Sequence, residues 1–305
     1  MKLPGCLFSM NQLNKARLYF TELLLLIVVI IWAANYPLAK YAMREFSPFV
    51  FNSIRFLVAA VTVSGIFFFR SSWKRIERED RRKVIVNGLV ASIIYQLAFI
   101  IGLSMTTAGN SAVFLSTSPL WTIFFNARLH KEKIQPRTII GMIISLCGVI
   151  MIIIGSGKKL EFGSNALFGD LISLAAAALW ALNTNLQKPL LAKYSTVQVS
   201  VMLVTIGAFG LTLFAIPTAL ETPWSSLHWT YYLAAIASGI LSIGIANMFW
   251  SYGVKRLGPT GAANFNNLVP VIAFTIAYFT LHEQVLAIQI VGAAITIAGV
   301  WIARK

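Results

Sequence analysis

The chain has 305 residues, of which 58% are hydrophobic and only 11% charged, where a soluble globular chain carries about 25% charge. The apolar residues come in long runs close to the ~20 that span a bilayer, so a soluble domain is excluded and an integral membrane protein is expected. The formal net charge of +15 would suggest a nucleic-acid partner in a soluble protein, but the basic residues sit in short loops between apolar runs, and no nucleic acid is expected.

In chain order the apolar runs fall at about 20–41, 47–69, 84–105, 110–128 and 137–155, then at about 167–190, 197–220, 228–254, 261–280 and 285–303. The first run acts as the first span and not as a cleavable signal. The organisation is therefore a cytoplasmic segment 1–19, a first five-helix unit 20–155, a connecting loop 156–166 and a second five-helix unit 167–303. Of the 25 basic residues, 20 fall on the side holding both termini, four (Lys40, Arg44, Lys158, Lys159) on the other, and Arg55 lies within a span. The positive-inside rule places both termini in the cytoplasm, and the location expected is the cytoplasmic membrane. The two cysteines, Cys6 and Cys147, form no disulfide framework and no metal-ligand spacing, so neither a metal nor a cofactor is expected.

The two units repeat one another. A shift of 148 takes Trp32-Ala33 and Asn35 to Trp180-Ala181 and Asn183, Lys40 to Lys188 and Ser47 to Ser195. Later the shift becomes 151 and takes Gly88 to Gly239, Phe114 to Phe265, Pro119 to Pro270, Glu132 to Glu283, Gly141 to Gly292 and Gly148 to Gly299. Five spans is an odd number, so the second copy enters the membrane from the opposite side. The expectation is an all-α integral membrane protein: ten transmembrane helices as two inverted five-helix repeats around a central cavity.

Polar groups are costly in hydrocarbon, so their placement is informative. Asn35 matches Asn183, Gln96 matches Asn247, and Ser116 matches Asn267. Pro119 and Pro270 each follow a polar run and free backbone carbonyls at membrane depth, which is tolerated where backbone is buried or lines a cavity. The expected cavity walls are Trp32, Asn35, Tyr36, Tyr95, Gln96, Phe99, Phe114, Ser116, Trp121, Asn183, Asn247, Trp250, Phe265 and Asn266. Aromatic walls with a few polar anchors suit a small organic molecule. The competing reading is that these amides glue helices together and the aromatics pack or belt the interface.

Arg55 has no basic counterpart, since the shift takes it to Leu203. It either receives a substrate carboxylate or is held by carbonyls at a broken helix end. Lys40 and Lys188 are candidate gate charges or snorkelling anchors. Glu22 and Asp170 read as first-turn helix caps. Glu132 and Glu283 read as ties to loop backbone. Glycines seven apart, 141 with 148 and 292 with 299, mark the fifth and tenth spans as packing elements.

These residues together resemble the EamA family of the drug/metabolite transporter superfamily over nearly the whole chain. The resemblance rests on Trp32-Ala33-Ala34-Asn35-Tyr36 with Lys40, Ser47-Pro48 through Arg55-Phe56, Gly102-Leu103, Ser116-Thr117-Ser118-Pro119-Leu120, Glu132 and Gly141. In the second half it rests on Gly169-Asp170-Leu171, Trp180-Ala181, Tyr252-Gly253 and Leu268-Val269-Pro270-Val271. It implies ten helices, a cavity lined mainly by helices one, three, four, six, eight and nine, and export of small metabolites, often amino acids. Some relatives carry a deep acidic residue for proton coupling; none is found here.

The leading expectation is a secondary transporter exporting amino acids or related metabolites, as a monomer or homodimer in the bilayer. The alternatives are a multidrug or nucleotide-derivative carrier and, further off, a channel or scramblase. The chain holds neither Gly-x-Ser-x-Gly nor His-Glu-x-x-His, and no carboxylate pair within a span, so an enzyme is not expected.

Overall fold

A computed structural model describes residues 4–70, 73–105, 114–133, 135–155, 164–281 and 286–304. The described residues are helical with short connections and hold no strand. The helices are α1 (Pro4–Ala42), α2 (Pro48–Arg70), α3 (Arg78–Leu89), α4 (Tyr95–Met105), α5 (Ser118–His130) and α6 (Pro136–Gly155). The second half holds α7 (Ser164–Lys193), α8 (Thr196–Glu221), α9 (Trp229–Ser238), α10 (Asn247–Ala263), α11 (Leu268–Leu281) and α12 (Ala287–Arg304).

Seven helical stretches are long and apolar enough to cross a membrane, and Ala287–Ala303 is a shorter apolar helix. The stretch Trp229–Ala273 has 45 residues, about 67 Å of helix at 1.5 Å per residue, far more than one ~30 Å crossing needs. It is broken at Gly258, whose φ of 75° and ψ of 169° are non-helical and favour glycine, with Pro259 next in sequence. Large apolar side chains point outward, among them Val61, Phe68, Phe69, Phe209 and Leu220. A water-facing surface would not carry so many; a lipid-facing one does.

Packing follows the sequence repeat. α6 packs on α12 and α2 on α8; α4 and α5 pack on α7, as α10 and α11 pack on α1. Exchanging the two halves leaves this pattern unchanged. At the α6–α12 contact, a Cβ on Gly141 would lie 2.6 Å from the Gly299 carbonyl oxygen, and one on Gly148 would lie 2.5 Å from that of Gly292. The partner rises in number as the other falls, so these helices run antiparallel, backbone against backbone. The expected small-residue packing face is present.

Two expectations fail on where helices begin. Helix α1 runs back to Pro4 and α7 to Ser164, so Glu22 and Asp170 lie beyond the first turn and cap neither helix. The helix continues outside the apolar run because nothing in Asn11–Tyr19 breaks it: no glycine and no proline occurs there. Asp170 is instead buried at 2% exposure.

Candidate functional site

The third helical stretch of each half carries the same irregularity. A π-helical segment, Val90–Ile94, separates α3 from α4, and another, Gly239–Ala246, separates α9 from α10. Each begins within two residues of a repeat-matched glycine, Gly88 or Gly239, and each ends within two residues of a matched polar residue, Gln96 or Asn247. An i→i+5 turn widens the helix and leaves carbonyls less engaged, and such turns recur at functional sites. Sequence reading missed both segments; the paired glycines were the available signal.

Where the two halves meet, the expected aromatic wall has closed on itself. Trp32 and its repeat counterpart Trp180 meet edge to face, ring centres 5.2 Å apart. Trp250 packs on Trp32 at 5.3 Å and on Trp180 at 5.6 Å. Tyr95 reaches Trp180 at 5.2 Å and Phe99 at 6.1 Å. Phe265 is buried in the same apolar cluster. Each such ring pair contributes roughly 0.5–1.5 kcal/mol beyond its buried area.

Beside this cluster, bounded by Trp180 and Trp250, lies a small cavity of about 30 Å³, room for a water molecule or two. Gln96, Asn183, Asn247, Trp180 and Trp250 line it, as do Ser92, Gln187, Ser200, Leu203 and Ser251. Ser251 Oγ donates to Gln187 Oε1 at 2.7 Å, and Gln187 Nε2 donates to Asn183 Oδ1 at 2.9 Å. Ser200 Oγ and Trp250 Nε1 are buried without a partner. The hydroxyl and amide partners Gln187, Ser200 and Ser251 were missed in the sequence because they lie on different helices and only packing brings them together.

Asn35 lies outside this cavity. Its Oδ1 accepts from Ser238 Oγ at 2.5 Å, and Trp32 Nε1 donates to the Ser242 carbonyl at 3.4 Å, so both residues dock α1 on the α9 region. Asn266 Nδ2 reaches Ser118 Oγ at 3.4 Å, joining the segment before α11 to α5. Trp121 makes its ring contacts with Phe124 and Phe125, not with the central tryptophans. Ser116 is buried and Phe114 half-buried just before α5. The side chains of Tyr36 and Lys40 lie outside the described residues, as do Lys158, Lys159, His282 and Glu283.

Arg55 is buried, 4% exposed, on α2. One N–H donates to Asn52 Oδ1 at 2.9 Å, and the guanidinium lies over the Phe51 ring at 5.0 Å. Its Nε and the Asn52 Nδ2 have no acceptor. Its neighbour across the interface is Gly239, where a Cβ would come within 2.7 Å of the Arg55 carbonyl oxygen.

The basic ends of the helices are tied by charge. Lys193 bonds Glu77 and Asp80, Tyr194 donates to Asp80 at 3.2 Å, and Lys255 donates to the Tyr194 carbonyl at 3.1 Å. Lys188 pairs with Glu132, which also accepts from Asn126 Nδ2 at 2.9 Å. Among the described residues Glu132 thus ties side chains of α7 and α5 rather than loop backbone. The lysine beside it holds its carboxyl below the usual range, with the Asn126 bond second.

This architecture, with polar and aromatic groups of two repeated halves converging, is that of a multi-pass helical membrane protein. The profile of the EamA-like transporter family matches residues 19–154 and again 167–304, and the chain belongs to that family. It is 27% identical over 283 residues to an uncharacterized transporter of Archaeoglobus fulgidus, covering 92% of this chain and 96% of that one. It is 24% identical over 282 residues to an uncharacterized transporter of Bacillus subtilis, covering 90% and 93%. A probable terminal-alkyne amino-acid exporter of Streptantibioticus cattleyicolor is 23% identical over 283 residues, with 92% of each chain covered. A solved crystal structure shares the fold, with a TM-score of 0.77, 20% identity and coverage of 93% of this chain and 97% of that one.

Proposed function

We propose that this transporter is a secondary carrier working by alternating access, with ten spans in two inverted five-helix repeats and both termini in the cytoplasm. Its cargo is an amino acid or a related small metabolite, moved outward across the cytoplasmic membrane. The observation that carries this reading is the meeting of repeat-equivalent Trp32 and Trp180 at 5.2 Å, with Trp180 also on the wall of a small cavity lined by Gln96, Asn183 and Asn247. A pair related by the repeat at the centre of the molecule gives two nearly equal halves that can part on either side. The antiparallel crossing of α6 and α12 supports the inversion. The named amino-acid exporter among the relatives supports the substrate class.

In this reading the tryptophans and Gln96, Asn183 and Asn247 contact substrate once the halves part, and Lys188 with Glu132 belongs to the cytoplasmic gate. Counterflow of labelled amino acids in proteoliposomes is the test. Saturable uptake driven by unlabelled amino acid inside the vesicle is expected, and Asn247→Ala should lower it at least tenfold while the protein elutes as a folded species. Linear, non-saturating flux would instead indicate a channel.

A further inference from the structure

Repeat equivalence and the small cavity together point to a second, charged pocket. Two of the cavity's wall residues are Ser200 and Leu203 on α8. The shift of 148 places Asn52 and Arg55 at the corresponding positions of α2. The same shift takes the cavity residues Asn183 and Trp180 to Asn35 and Trp32. In this structure that counterpart space is shut, because Asn35 bonds Ser238 and Trp32 bonds the Ser242 carbonyl.

The shut pocket is chemically unlike its twin. Where the second half offers a serine and a leucine, the first offers an amide and a guanidinium. Both are buried, Asn52 at 1% and Arg55 at 4% exposure. Among the described residues the guanidinium has one acceptor, Asn52 Oδ1, and no carboxylate pairs with it. The two buried atoms without partners, Arg55 Nε and Asn52 Nδ2, are both donors. A site whose free capacity is donors around one fixed positive charge is complementary to an anion, which accepts hydrogen bonds and carries the opposite charge.

We propose that Arg55 and Asn52 form an anion subsite that opens when α1 parts from the α9 region, and that it takes the carboxylate of the transported solute. This rests on the transport reading above and adds the charge of the substrate to it. A structural pin would be expected to have its donors satisfied internally; these are not.

The test uses the full-length protein purified in detergent. Thermal shift is measured with L-phenylalanine, 3-phenylpropionate and L-phenylalaninamide, and with chloride against gluconate as a bulky control anion. The expected result is stabilisation by both carboxylates, with at least tenfold weaker apparent affinity for the amide, and loss of the carboxylate effect in Arg55→Gln. Chloride stabilisation without a carboxylate effect, lost in the same variant, assigns the site to an inorganic anion and overturns the carboxylate assignment. Equal stabilisation by acid and amide, no stabilisation by any of these anions, or an effect that persists in Arg55→Gln overturns the proposal. The acid–amide comparison on the unaltered chain needs no variant, and Asn52→Ala, expected to weaken carboxylate binding severalfold, covers failure of Arg55→Gln to fold. Counterflow separates the two readings. Equal saturable flux of acid and amide removes the anion subsite and leaves the carrier, whereas no saturable flux of any solute removes the carrier.

Discussion

Glycine substitutions separate positions that are packed from positions that are merely glycine. A Cβ at Gly148 would sit 2.5 Å from the Thr296 backbone nitrogen, and backbone cannot swing aside. Gly148→Ala should therefore push α6 from α12 and cost roughly 1–3 kcal/mol, seen as a drop of several degrees in the detergent melting temperature. At Gly65, in mid-α2, a Cβ would meet nothing within 4 Å. Gly65→Ala should be neutral or raise stability by up to about 1 kcal/mol through helix propensity. Equal effects at the two sites would contradict the packing described. Glu132 gives a pH-dependent case at the same scale. Its carboxyl is depressed by Lys188 and Asn126, so its contribution is present above the ordinary carboxylate pKa and lost as pH falls through the lower folded value. The melting-temperature gap between the unaltered chain and Glu132→Gln should shrink on acidification below about pH 4. A gap that widens there would be the wrong sign.

Between elements, the bond from Ser238 to Asn35 is a discrete clasp of α1 on α9. A buried side-chain hydrogen bond contributes about 1 kcal/mol net, and removing one partner strands the other. Asn35→Ala and Ser238→Ala should each destabilise by roughly 1–3 kcal/mol, and the double variant by clearly less than the sum. Additive losses, measured by chemical or thermal unfolding, would mean the two side chains are independent. The π segments belong to this scale too. They could not be read from hydropathy, since Val90–Ile94 and Gly239–Ala246 are apolar stretches within long apolar runs. Each sits against a close neighbour: Val90–Ile94 packs on α8, with Gly88 against Ile206, and Gly239–Ala246 packs on α2, with Gly239 against the Arg55 backbone.

For the whole molecule, sidedness is the open prediction. With Cys6 and Cys147 replaced, single cysteines at Ser225 and at Lys133 should react oppositely with a membrane-impermeant maleimide added outside intact cells. Ser225 should label and Lys133 should not, because the charge skew puts the Lys133 loop inside. Labelling of both from outside would break the ten-span arrangement, and labelling of Lys133 alone would overturn the cytoplasmic placement of the termini.

Sequence by itself determined the membrane class, the duplicated halves, the packing glycines and most of the central residues, because bilayer burial and repetition both write themselves along the chain. Trp32, Trp250, Gln96, Asn183 and Asn247 were legible because a polar or aromatic side chain amid apolar helix is conspicuous. Tertiary structure decided how they are used. The aromatics meet one another, the cavity beside them is about 30 Å³, and Trp121 stands with its own phenylalanines instead. Gln187, Ser200 and Ser251 joined the polar set only through contacts between α7, α8 and α10. Residue spacing says which face of a helix a side chain occupies; which other helix that face meets, and how tightly, depends on crossings such as Gly141 on Gly299 that no single helix encodes.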